Sequence, residues 1–196
     1  MTAGLSSPDG LDRVSQRRVP SARRYVMAGP AALALFLLFT GCSGEEAARE
    51  YATPRSLCGT PIDTKALEPF LPPGREISVT GSDGSGIKSC KVVIEGALVI
   101  VTMQAWIAEG KSTAYFAAGQ TLDRPDRSLE GDRILYSGNQ GFGKTRTCVD
   151  TKYGQELYAS VQAEGSKHED ADAMKRIILA YIEEVERSDE CTGGAL

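Results

Sequence analysis

One run of this sequence carries the residues of a phosphate-binding loop. Gly138-Asn-Gln-Gly-Phe-Gly143-Lys144-Thr145 fits the pattern G-x-x-x-x-G-K-[ST] at every fixed position. Such a loop works by opening a helix, so that backbone N–H groups and the helix N-terminus surround the phosphates while the lysine neutralises them. The residues that follow, Arg146-Thr-Cys-Val-Asp-Thr-Lys-Tyr-Gly154, are β-branched, cysteine-bearing and soon broken by glycine, which is the composition of a strand. The expectation is a glycine-rich hairpin loop that takes no nucleotide, with Gly138, Phe142, Gly143 and Lys144 as a candidate binding loop. The single histidine, His168, lies among Lys167, Glu169 and Asp170, and no serine sits in a Gly-x-Ser-x-Gly turn to serve as its nucleophile. It reads as a solvated residue at a helix start. Glu169, Asp170 and Asp172 are the acids a helix dipole favours in its first turn, so no metal is expected there.

The five cysteines divide by position. Cys42 follows Phe39-Thr40-Gly41, with the small Thr40 and Gly41 directly before it, in an uncharged run from Tyr25 to Ser43, and five arginines (Arg13, Arg17, Arg18, Arg23, Arg24) precede that run. A basic segment followed by a short apolar one is the layout of an export signal, and the run is short for a membrane-spanning helix. Phe39 to Cys42 resembles a bacterial lipobox, with Phe39 in the place usually held by leucine. That resemblance implies a signal peptide over residues 1–41, cleavage before Cys42 and a diacylglyceryl group on its sulfur. Ser21 to Met27 also looks something like a twin-arginine export signal, which leaves the export route open.

Cys58, Cys90, Cys148 and Cys191 remain. An even number in an exported domain reads as two disulfides, and of the three possible pairings Cys58–Cys90 with Cys148–Cys191 ties each end of the domain to its nearest strand. Zinc needs close ligand pairs, and separations of 32, 58 and 43 residues provide none.

The 196 residues are 41% hydrophobic and 24% charged, a balance that excludes disordered chains and membrane bundles. The precursor's net charge is −4, but the leader holds five of the 22 basic and two of the 26 acidic residues. From Cys42 onward the net charge is therefore −7 over 155 residues. A surface this acidic argues against nucleic acid or anionic headgroups as partners, so the membrane contact falls to the lipid.

Residues 42–57 are polar and read as a flexible tether, leaving 58–196 as a single domain. Asp63 is placed to cap a short helix, Ile77 and Val79 alternate with polar residues, and Gly81–Gly86 reads as a loop. Cys90, Val92 and Ile94 share a strand face, Glu95-Gly96 makes a tight turn, and Ala97–Trp106 is the central strand. Trp106 is a core residue in this reading. Ser112–Ala118 is a short helix, and Gln120–Arg133 is a polar loop. Strands follow around Ile134–Tyr136, Arg146–Asp150 and Glu156–Ala163. Ser166 and Glu169 match a capping box, after which Met174, Ile177, Ile178, Tyr181 and Val185 form one helical stripe.

The expected fold is α+β: a five- to six-stranded, mostly antiparallel sheet, with a short N-terminal and a long C-terminal helix packed on one face. The order of elements, Cys42 and the Leu57-Cys58-Gly59 segment together resemble small lipoproteins of actinobacterial envelopes, some of them similar to the Mog1/PsbP-like fold. That resemblance implies an envelope role and no catalytic residues. The expected function is a lipid-anchored, non-catalytic binding or accessory domain on the extracytoplasmic face of the cell membrane, with an envelope protein or small ligand as partner and no cofactor. The alternative is an envelope hydrolase that attacks cell-wall material through carboxylates.

Overall fold

The computed structural model describes residues 48–121, 123–165 and 169–193; Cys42, Ser166 and His168 lie outside them. The fold is α+β, as the pattern of elements requires. Seven strands form one antiparallel sheet: β3 (Ile77–Gly84), β4 (Ile87–Ile94), β5 (Ala97–Ala108), β6 (Arg127–Leu129), β7 (Ile134–Tyr136), β8 (Gln140–Asp150) and β9 (Gln155–Ala163). Their order across the sheet is β3-β4-β5-β9-β8-β7-β6, and β1 (Ser56–Leu57) with β2 (Thr60–Pro61) makes a separate two-stranded ribbon. Ser85 and Gly86 close the β3–β4 hairpin, and Glu95 and Gly96 close β4–β5; all four have the positive φ that a two-residue turn demands.

The seventh strand and two glycine segments depart from expectation. Gly81–Gly84 continues β3, because an edge strand tolerates residues that bury nothing. Gly138–Thr145 is not a hairpin loop: β8 begins at Gln140 and pairs along Gly141, Phe142, Gly143 and Lys144 with β9. Part of the supposed polar loop, Arg127–Leu129, supplies β6.

The polar segment read as a tether as far as Leu57 is engaged from Arg49 onward. The Arg49 guanidinium donates to the carbonyls of Glu68 (3.0 Å) and Leu71 (2.5 Å), Tyr51 donates its hydroxyl to Pro72 O, and Leu57 is buried. Composition hides this, because those bonds go to backbone carbonyls rather than to an apolar face.

Asp63 caps α1 (Thr64–Leu67), accepting from the N–H groups of Lys65 and Ala66. The long helix α3 (Ala171–Glu186) starts later than the capping box placed it, since Asp170 accepts from Ala173 N and is the true N-cap. Its stripe, including Met174, Ile177, Ile178, Tyr181 and Val185, is buried against one face of the sheet. The facing strand residues are Leu157, Ala159, Val161 and Ala163, with Val92, Ile100 and Trp106 further along. Cys58 is bonded to Cys90 on β4, and Cys148 on β8 to Cys191 in the short terminal helix α4 (Asp189–Gly193).

This core contains one polar chain. Gln104 Nε2 donates to Thr60 Oγ1 (2.9 Å) and to Tyr181 Oη (3.1 Å), and the Tyr181 hydroxyl donates to Thr102 Oγ1 (3.0 Å). All four residues are buried, so each bond replaces water that cannot enter. Tyr181→Phe is expected to cost about 1–2 kcal/mol by stripping partners from Gln104 and Thr102. Urea denaturation checks it: the midpoint should fall with the slope unchanged.

Candidate functional site

Among the described residues the sheet's second face is covered only in part. Helix α2 (Thr113–Ala118), capped by Ser112 accepting from Tyr115 N, lays Phe116 and Ala117 over β5, β8 and β9. Phe116 meets Phe142 edge-on, with centroids 6.2 Å apart and planes at 84°, and packs against Tyr158 at 5.3 Å. Phe142 is therefore a core residue of this small second cluster, fully buried, and cannot serve in a binding loop.

Lys144 points to the same face and is already paired. Its ammonium lies 2.6 Å from Glu156 Oε1, and Glu156 Oε2 accepts the Gly110 N–H at 3.0 Å. Burial pushes the Lys144 ammonium down, but the bond and charge of Glu156 and its contact with Tyr158 outweigh that, and the net shift is upward. Burial would raise the Glu156 carboxyl, yet its bonds to Lys144 and Gly110 hold it below its ordinary 4.5. Burial pushes the Tyr158 phenol up, and its hydroxyl donates to Lys111 O at 2.5 Å. A lysine held as a cation by its own carboxylate is neither a free nucleophile nor a spare phosphate ligand. Its role is to close the β5–α2 loop onto the sheet.

The pair makes stability depend on pH. Glu156, lowered in the fold, contributes above the unfolded value, and that contribution is lost as pH falls below 4.5 through the folded value. Lys144, raised in the fold, contributes below 10.5 and loses its contribution as pH rises through the folded value. Glu156→Gln should thus destabilise by about 1–2 kcal/mol at neutral pH, and its melting temperature should converge on that of the parent in acid. Thermal melts of the two proteins from neutral pH into that acid range measure the convergence.

Gly138, Gly141 and Gly143 owe their identity to close packing. A Cβ at Gly138 would stand 2.8 Å from Glu169 Cβ, one at Gly141 2.7 Å from Ile178 Cβ, and one at Gly143 2.0 Å from Ile182 Cδ1. The strand lies beneath α3 at the distance only glycine allows. With Gly141 and Gly143 under α3, Gly138 against Glu169 just ahead of it, Phe142 in a core and Lys144 in an ion pair, these residues do not form a binding loop. Gly81–Gly86, expected as a loop, is an exposed strand end and its turn.

Open space lies instead on the two flanks of α2. On one flank a cleft of about 550 Å³ is lined by Ala118, Asp123, Arg124, Asp126, Arg127 and Asp132. The segment that forms it is fastened to the sheet where Gln140 Nε2 donates to Asp123 O (2.9 Å) and Ser160 Oγ donates to Gln120 Oε1 (2.7 Å). On the other flank a groove of about 400 Å³ is lined by Ile87, Met103, Ile107, Tyr115, Phe116 and Gln120. Ile87 and Tyr115 are its exposed large apolar members, at 47% and 57%. The cleft can meet a polar ligand with carboxylate and guanidinium groups side by side, and the groove can meet an apolar one.

The acidic residues at the helix start do not form a ligand set. Asp170 is spent on the α3 cap, and Asp172 stands in the first helical turn, where the dipole favours it. Trp106 is buried in the main core. The sequence does carry a sign of the cleft, since Asp123-Arg124-Pro125-Asp126-Arg127 repeats an acid-base pair around a proline. A polar-loop reading passes over that repeat. The second-face groove was signalled by Met103, Ala105 and Ile107, apolar residues recurring at period two on the side of the strand opposite Ile100 and Trp106.

Comparison of the chain with protein-family models, with curated proteins and with solved structures gives no match. Among the described residues no helix is long and apolar enough to cross a membrane.

Proposed function

We propose that this protein is a lipid-anchored binding or accessory protein of the bacterial cell envelope, attached through diacylglyceryl Cys42 and non-catalytic. The domain stands on the extracytoplasmic face of the membrane, and the cleft beside α2 is its contact surface for an envelope protein or small ligand. The observation that carries this reading is the pair of disulfides, Cys58–Cys90 and Cys148–Cys191, since such bonds persist outside the cytoplasm. They agree with the export signal and lipobox pattern that end at Cys42. The cleft supports binding because its charges alternate: Asp123, Asp126 and Asp132 face a ligand together with Arg124 and Arg127.

Two measurements test the proposal. Mass spectrometry of the membrane fraction should find a mature N-terminus at acylated Cys42, and any other start overturns the anchoring. Photo-crosslinking in cells from position 126, followed by affinity purification, should give one reproducible partner that Arg124→Ala with Arg127→Ala removes. The same pair of changes should leave the melting temperature almost unaltered, because both side chains are exposed.

A second reading has an observation in its favour. Three aspartates line one cleft, and paired carboxylates are what an envelope hydrolase acting on cell-wall material needs. All three are exposed, whereas a general acid is made by burial, which is why binding takes precedence. Release of soluble sugar from purified cell-wall material, abolished by Asp126→Asn or Asp132→Asn, would reverse the order.

A further inference from the structure

The two edges of the seven-stranded sheet are finished differently. At one edge β6 is only three residues long and begins with Arg127, a short charged strand of the kind that discourages further pairing. At the other, β3 runs for eight residues, and every residue from Ser78 to Gly84 is exposed. Its sequence, Ile-Ser-Val-Thr-Gly-Ser-Asp-Gly, has no lysine, no proline and no bulge against β4. No described residue pairs with its outer side.

Which backbone groups are free follows from the turn. A two-residue hairpin makes its flanking residues, Gly84 and Ile87, a hydrogen-bonded pair, and alternation then commits Ser82, Thr80 and Ser78 to β4. The bond from Glu95 N to Glu76 O (3.2 Å) continues the same alternation. The N–H and C=O groups of Ile77, Val79, Gly81 and Asp83 therefore point outward, four residues' worth of unpaired ladder.

We infer that two copies of this chain pair through β3, antiparallel and in the register that sets Val79 opposite Val79 of the second copy. Two observations select that occupant and register. A two-fold axis at Val79 makes it an outward-facing, mutually bonded pair, as the free N–H and C=O of Val79 demand. The same axis sets Ser78 opposite Thr80, Ile77 opposite Gly81 and Arg75 opposite Asp83. Opposite charges thus meet at both ends of the ribbon, and an exposed valine meets an exposed valine at its centre. A register centred on Thr80 would instead set Asp83 against Ile77 and leave Arg75 without a partner on the opposing strand. This assembly goes beyond the binding role proposed above and does not depend on the cleft.

The test uses the full chain, purified from membranes in detergent, with its mass followed by sedimentation over a dilution series. The parent should dimerise. Val79→Pro removes an outward N–H that β4 does not use, so it should weaken the dimer on the order of a hundredfold while the melting temperature holds. Arg75→Asp and Asp83→Arg should each weaken it about tenfold, by placing like charges opposite one another twice. Combined in one chain, Arg75→Asp and Asp83→Arg should restore the parent's dimerisation. A parent that remains monomeric overturns the inference, and so does a charge exchange that fails to restore what its single members lose. Pairing of β3 with an extended segment of a different protein would give the first of those outcomes.

Discussion

Gly141→Ala should destabilise the domain by about 3 kcal/mol, at the top of the range for adding one methyl to a packed core. The new Cβ would lie 2.7 Å from Ile178 Cβ, 3.0 Å from its Cγ1 and 3.1 Å from its Cγ2. Ile178 Cβ is one bond from the α3 backbone, so no rotamer takes it away. Relief requires the helix to rise from β8, which loosens Ile177, Tyr181 and Ile182 as well, all of them buried. Gly143→Ala brings atoms still closer on paper, 2.0 Å to Ile182 Cδ1 and 2.6 Å to Ile134 Cδ1, but both are terminal methyls that can swing aside. Its expected cost is about 1–2 kcal/mol. Urea denaturation of the two variants gives the order directly. If Gly143→Ala proves the worse, the δ-methyls have no second rotamer available and the reasoning about Ile178 fails. A phosphate-loop reading makes a different prediction, because Gly143 is a fixed position of that motif and Gly141 is not.

That contrast shows why some of this molecule was legible in its sequence and some was not. A stripe such as Met174, Ile177, Ile178, Tyr181 and Val185 states its structure through period alone, and the structure buries all five. Glu95-Gly96 was legible because a two-residue turn demands positive φ, and the cysteine pairing because each bridge joins a chain end to a nearby strand. Glycine carries no such direction. At Gly96 it signals freedom of the backbone; at Gly141 and Gly143 it signals the near approach of a helix through Ile178 and Ile182, 37 and 39 residues later in the chain. Nothing local separates the two meanings, which is how a buried strand came to read as a binding loop. The edges were only partly legible for a related reason: β3 announces itself at Ile77 and Val79, but Gly81–Gly84 and β6 bury almost nothing, and alternation is visible only where one face is buried. The capping box failed because Ser166 and Asp170 are both good caps by type, and a distant contact marks Asp170, whose N–H donates to Gly138 O (2.9 Å) while its carboxylate accepts from Ala173 N (2.9 Å). The cleft left no hydrophobic pattern because its charged residues, Asp123 to Arg127 and Asp132, serve no core.

Removing both disulfides should unfold the domain, whereas removing either alone should not. Loops of 32 and 43 residues each give about 4 kcal/mol in the chain-entropy estimate, so the two together approach the whole stability of an ordinary domain, about 5–15 kcal/mol. Cys58→Ser with Cys90→Ser, or Cys148→Ser with Cys191→Ser, should lower the melting temperature by about 10–20 °C. With all four cysteines replaced, the far-ultraviolet spectrum at 37 °C should be that of a largely unfolded chain. The single pairs are not equivalent. Cys148–Cys191 fastens α4, which buries no residue, so breaking it acts almost wholly through the unfolded chain. Cys58–Cys90 fastens the β1–β2 ribbon to β4, and its Cys58 sulfur fills the space where a Gly81 side chain would stand. Close to it in the chain come Leu57, Leu67 and Phe70, all buried. Its loss should therefore cost native packing as well as loop entropy, and the Cys58–Cys90 variant should melt first although it closes the shorter loop. Entropy alone predicts the reverse order by a few tenths of a kcal/mol. A melting temperature that reductant leaves unchanged would show that the folded domain owes its stability to the two cores, and would remove the strongest physical link between this fold and an oxidising compartment.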